Sequence, residues 1–266
     1  MHQAFLWEIK QGGQVPPSFV LGSMHSTDQR VFGGLEQLTS LLKEVDYFAL
    51  EFDSQTLNEE QQLQLHLAQQ LPQGQELSDL VSPSIWRKLQ QLFTQELGMP
   101  FLLDQLVHSR PMIIPQFYNQ WKSAKDYPIA LDHYLLQLAQ TEELQIENLE
   151  TFEEMLSVFE NLPLPPQIWA LKKFACQRGK QWKKFQQSLD AYAANNLPYL
   201  LKQQQKVSGK SRKVILLQRN QTILPRMQKL MEKGPSLMVL GLYHLIGSQG
   251  LLRSLKQKGY LVRPLF

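Results

Sequence analysis

Val20-Leu21-Gly22-Ser23-Met24-His25, near the start of the chain, is matched near its end by Val239-Leu240-Gly241-Leu242-Tyr243-His244. Both stretches read Val-Leu-Gly-x-x-His, and each closes a short apolar run of the kind that forms a buried strand. Each histidine therefore falls just past a strand's end, where ligand sites gather in open α/β sheets. The repetition predicts one site built from both ends of the fold.

Working outward from the first copy, Phe5–Ile9 reads as a strand and Gln11-Gly12-Gly13-Gln14 as a turn. Ser18–Gly22 is then the second arm of a hairpin. Leu35, Leu38, Leu41 and Leu42 have helical spacing, and Tyr47–Asp53 reads as a buried strand ending in two carboxylates. Strand, helix and strand at this length argue for an α/β sheet. Around the second copy, strand Leu237–Leu240, helix Gly247–Lys258 and strand Tyr260–Leu265 repeat that logic. The expected fold is α/β, with a central mixed β-sheet from these N- and C-terminal units and a largely helical insertion between them. One domain over 1–266 is expected, helical from about 55 to 235.

Within the insertion, Leu63, Leu67 and Leu71 recur every four residues. Ser82-Pro83-Ser84 looks like a helix start, and Ile85, Leu89, Leu92 and Phe93 make its apolar stripe. Asp132–Leu138 suggests a helix and Leu144–Leu149 a short inner strand. Leu162-Pro163-Leu164-Pro165-Pro166 is the clearest break, before long helices around 169–185 and 214–231.

The net charge of +3 hides a split: residues 166–266 hold 19 Lys or Arg against Asp190 and Glu232. The first 165 residues hold 8 basic and 22 acidic ones. Such asymmetry predicts either a basic surface for an anionic partner or two segments that pack together. The basic stretch Lys172–Lys184 is interleaved with Trp169, Phe174, Trp182 and Phe185. Its helical spacing favours aromatics packed inward over nucleic-acid or membrane binding. The single Cys176 excludes an intrachain disulfide and any multi-cysteine zinc site. No apolar stretch approaches the roughly 20 residues that span a bilayer. Met1-His2-Gln3 does not begin a secretory leader, so the default expectation is cytoplasmic, or exported if a signal peptide has been removed.

Glu51 and Asp53, two apart on the expected strand, would share one face. Carboxylates at a strand's carboxyl end are costly unless they meet a metal, a cation or a substrate. With His25 and His244 they offer a His/His/carboxylate set for a catalytic divalent ion, and zinc, manganese and cobalt all suit it. Glu150 is another strand-end acid, and Arg219 and Asn220 are placed to orient a carbonyl or carboxylate ligand. Ser208-Gly209-Lys210-Ser211 lacks the earlier glycine of a phosphate-binding loop. There is no Gly-x-Ser-x-Gly and no His-Glu-x-x-His. His66, His108 and His133 stand singly in helical contexts.

These residues together resemble the TraB/PrgY/GumN family, to which the Tiki metalloproteases are related. The resemblance rests on Gly22 to His25, Gly241 to His244, Glu51, Ala130–Leu135, Asn148–Thr151, Arg219-Asn220 and the closing Gly247–Val262. The chain departs from the family pattern at Val31–Gly34 and at Gly179-Lys180. The resemblance implies a metal-dependent hydrolase of the peptidase type. His25, Glu51 and His244 would hold the metal, Asp53 or Glu150 would orient a ligand or act as general base, and Arg219 and Asn220 would position a peptide or small-molecule substrate. The alternative is a non-catalytic protein that binds a peptide or small ligand in the same cleft, and a weaker one is haem or metal-ion carriage.

Overall fold

The structure is a computed structural model that describes residues 5–12, 16–72, 74–123, 125–207 and 209–265. Gly13 and Gln14 of the expected first turn, and Ser208, lie outside them. The chain divides into two compact units: 1–56, 123–155 and 187–266 form the first, and 57–122 with 156–186 form the second.

The first unit carries a six-stranded sheet. Its strands are β1 (Leu6–Lys10), β2 (Ser18–Ser23), β3 (Tyr47–Leu50), β4 (Gln145–Asn148), β5 (Ser236–Gly241) and β6 (Leu261–Pro264), in the order β4-β3-β5-β2-β1-β6. β1 pairs antiparallel with β2 and β6, while β2, β5, β3 and β4 run parallel. This is the mixed sheet expected from the two chain ends. The buried runs Phe19–Leu21 and Leu237–Leu240 have both faces covered, as parallel strands require. Because β5 lies between β2 and β3, the carboxyl ends of four parallel strands meet along one edge.

Three local expectations need correction. β3 stops at Leu50, so Glu51 and Asp53 do not share a strand face. Asp53 accepts from the Gln55 N–H at 2.9 Å and begins a 3-10 turn over Ser54–Thr56. β4 is an edge strand, not an inner one, which explains its half-exposed Gln145–Asn148. The closing helix starts only at Leu251, because Gly247 turns the chain with φ 92°.

The second unit is helical. Pro83–Gln91 starts after Ser82 with proline in its first turn, where the missing N–H costs nothing. Ile85, Leu89, Leu92 and Phe93 enter a core with Ile114, Tyr118, Leu171 and Phe174, as their spacing predicted. The helix Glu59–Ala68 is closed at its start by an Asn58–Gln61 capping box, yet Leu63 and Leu67 point to water. Trp169 is likewise exposed, at 62%, beneath the Lys173 ammonium, contrary to the inward packing expected of that aromatic series. Phe174 does pack inward.

Part of the charge split is met by ion pairs inside each unit. In the sheet unit Arg219 pairs with Glu51 and Glu150, Arg226 with Glu154, Lys233 with Glu147 and Arg263 with Glu8. In the helical unit Arg178 pairs with Glu96. Among the described residues no helix is long and apolar enough to cross a membrane.

Candidate functional site

The two Val-Leu-Gly-x-x-His copies lie side by side but out of step. Gly22 pairs with Leu240 and Ser23 with Gly241, an offset of one residue. Side chains alternate along a strand, so this offset turns the two glycines to opposite faces of the sheet. A Cβ on Gly22 would strike Leu242 Cδ1 at 2.6 Å and approach its Cα at 3.3 Å, so that glycine admits the second motif's backbone. A Cβ on Gly241 would stand 3.1 Å from Glu51 Oε1, 3.4 Å from His25 Nε2 and 3.7 Å from His244 Cδ2. That point is where His25, Glu51 and His244 converge.

The two histidines reach it differently. His25 leaves β2 with φ 46°, a left-handed conformation that costs a non-glycine residue energy and turns its ring toward the strand ends. Its Nδ1 is paired with Asp132 Oδ2, and Ser23 Oγ donates to the other Asp132 oxygen. The His25 side chain is 56% exposed, with Asp132 buried beneath it. Surrounding protein works against its charge, but the Asp132 carboxylate outweighs that and raises the imidazole to about 9. Asp132 is in turn held low, against its burial, by His25 and Ser23.

His244 sits in the short helix Leu242–Leu245 and is buried. Its Nδ1 donates to Asn220 Oδ1 at 2.6 Å. The Asn220 amide is oriented by donating to the carbonyls of His244 at 3.1 Å and Gln249 at 3.3 Å, so its oxygen must face the ring. Burial lowers this imidazole to about 4, which leaves it neutral with an unprotonated Nε2. Gln204 braces the same turn by donating to the Tyr243 carbonyl at 2.6 Å.

Glu51 follows β3. Its Oε1 accepts the Gly241 N–H at 2.6 Å and lies 3.9 Å from His244 Nε2. Its Oε2 accepts from Arg219 at 2.5 Å. Burial opposes ionisation, but His244, Arg219, His25 and the Gly241 N–H together hold the carboxyl down, at about 2. Glu150, after β4, faces Arg219 through both oxygens, and burial raises its pKa despite that cation. Arg219 also donates to the Ile215 carbonyl at 3.3 Å, so four of its five N–H donors are engaged.

The structure thus brings together His25, Glu51, Glu150, Arg219, Asn220 and His244. Asp53 turns into its own loop and does not line the cleft. Arg219 organises two carboxylates and Asn220 a histidine, which commits most of their polar atoms within the protein. The sequence did not mark Asp132 and Ser23 as partners of His25; the one signal it offered was an acid at the first turn of the expected helix, which the structure buries.

Among the described residues no group of three His, Cys, Asp or Glu side chains already stands at metal-binding spacing. The donor chemistry nevertheless fits a divalent ion. His244 presents an unprotonated Nε2, His25 would release its Nε2 proton on binding an ion while Asp132 keeps its Nδ1, and a carboxylate oxygen completes three ligands. Ligands of one tetrahedral ion with bonds of about 2.0–2.1 Å lie roughly 3.3 Å apart. The 3.9 Å between Glu51 and His244 would need to close by only a few tenths of an ångström.

The fold and site define an α/β protein whose parallel strand ends carry a paired histidine and carboxylate cluster. Residues 5–264 match the TraB/PrgY/gumN family, and the chain belongs to it. No curated protein and no solved structure matches the chain.

Proposed function

We propose that this protein is a divalent-metal-dependent hydrolase acting on peptide bonds, with His25 Nε2, His244 Nε2 and Glu51 Oε1 as the metal ligands. The observation that carries this reading is their convergence on the space left open by Gly241. A divalent ion there, whether zinc, manganese or cobalt, supplies Lewis-acid polarisation of a carbonyl. The chain's own residues prepare the site. Asn220 fixes the tautomer of His244 and Asp132 fixes the ring of His25 through Nδ1, which keeps both Nε2 atoms aimed inward. Arg219 holds Glu51 ionised and in place, and Glu150 holds Arg219. Glu150 therefore acts through Arg219 and does not itself meet a ligand. The exposed edge of His25 is the side from which substrate reaches the cluster.

Metal titration and peptidase assays on the purified protein test this reading. His25→Ala and His244→Ala are each expected to lose both tight metal binding and turnover. Full activity in either variant would overturn it. A second reading is a binding protein without turnover that takes its ligand in the same cleft. It predicts ligand binding that survives chelation.

A further inference from the structure

The cleft in front of the histidines has a volume of about 280 Å³. Pockets for drug-sized ligands run from about 300 to 1,000 Å³, so this one is small and suits a single side chain with its backbone. Its polar lining is Ser23, His25, Glu51, Arg219 and His244. Its walls are Met24, Ile215, Leu216, Leu242 and Tyr243. Three of these, Met24, Leu242 and Tyr243, are positions that Gly-x-x-His leaves unspecified. Gly241 leaves the space where the two histidines and Glu51 converge, and Met24, Leu242 and Tyr243 line the cleft beside it. Ile215 and Leu216 come from a π-helical turn over Lys213–Gln218, and the Arg219 guanidinium holds that turn by its bond to the Ile215 carbonyl. Such wide turns recur at functional sites because they displace side chains from ordinary helical positions.

We propose that Met24, Ile215, Leu216, Leu242 and Tyr243 form a specificity pocket for one apolar residue of a peptide, beside the bond to be cleaved. The inference rests on the hydrolase reading for its chemistry, while its geometry stands apart from it. A leucine-sized side chain fills the pocket against five apolar walls. An aspartate would give up its hydration there. Nor do the cations of the cleft offer it compensation, since Asp132 already pairs with His25, and Glu51 and Glu150 pair with Arg219, four of whose five donors are spent. A site of this kind separates neighbouring apolar residues by roughly 10–200-fold per methylene.

The test uses acetylated, amidated tetrapeptides Gly-Gly-X-Gly with X as Leu, Ala or Asp. Binding is followed by calorimetry and by the NMR signal of the Met24 methyl group, with turnover measured on the same peptides in the presence of manganese. Leu is expected to exceed Ala at least tenfold, with Asp weakest. Met24→Lys, on a partly exposed loop, is expected to invert the order of Leu and Asp. Equal or absent binding of the peptides, or an unchanged order in M24K, overturns the pocket. Turnover without the order rejects the pocket and keeps the hydrolase. The order without turnover keeps the pocket and rejects the hydrolase.

Discussion

Gly22 and Gly241 occupy the same place in a repeated motif, but a methyl group added to each meets different surroundings. At Gly22 it would press on the Cα of Leu242, which cannot swing away. Overpacking of this kind costs about 1–3 kcal/mol. Gly22→Ala is therefore expected to lower the unfolding free energy by that much in urea denaturation. At Gly241 the methyl would face side-chain atoms 3.1–3.7 Å away, a tight fit that leaves the strand paired. Gly241→Ala is expected to keep near-native stability while losing metal binding, because the methyl group sits where the ligands converge. Equal stability loss in both variants would contradict the opposite facing of the two glycines. Asp132 provides the second prediction at this scale. It touches His25 through Nδ1, and loss of such an orienting partner typically weakens metal binding 10–100-fold. Asp132→Ala should show that loss by calorimetry with manganese or zinc, while Asp53→Ala should not.

Among the elements, the decisive arrangement is the insertion of β5 between β2 and β3. It gathers residues from four strand ends, and the helix Arg219–Lys233 then supplies the cation that binds two of them. The strands themselves were legible, because buried parallel strands are continuous apolar runs with sharp ends. What sat between them was not. Register is fixed by the neighbouring strand, so the one-residue offset of the two motifs has no signature within either motif. The stop of β3 at Leu50 was also hidden, since Phe52 continues the apolar alternation past the last ladder bond. Arg219 looked free to hold substrate because its partners lie 168 and 69 residues away. Removing it should be severe. Arg219→Met leaves Glu51 and Glu150 facing each other in the interior, and breaking a buried ion pair from one side costs about 3–5 kcal/mol. Adding Glu150→Gln should recover part of that loss in denaturant titrations. If R219M is as stable as the native protein, the guanidinium does not hold these carboxylates together.

Across the whole molecule, ion pairs within each unit join acids of the first part of the sequence to cations of the second. The sequence left open whether the basic segment served an outside partner, and the ion pairs account for several of its cations internally. Glu96 is the most heavily engaged acid of the helical unit. It accepts from Tyr118 at 2.6 Å and from Arg178 at 2.7 Å, with Lys122 at 3.4 Å. Burial pushes its carboxyl up, but these three donors prevail and hold it below the ordinary value near 4.3. A carboxyl depressed in the fold stabilises fully above its unfolded pKa and loses that contribution as pH falls through the folded value. Glu96→Gln keeps an acceptor but removes the charge. Because the cluster is partly exposed, the variant should lose only about 1 kcal/mol at neutral pH. That difference should begin to shrink as pH falls through the unfolded value of about 4.3 and vanish only below the depressed folded value, where the native Glu96 is itself protonated. Tryptophan fluorescence during urea unfolding is suited to the measurement, since Trp86, Trp121, Trp169 and Trp182 lie in the helical unit and only Trp7 in the other. A difference that stayed constant from pH 7 down to pH 3, or one already absent at pH 7, would show that the ionised carboxylate of Glu96 contributes nothing to that unit's stability.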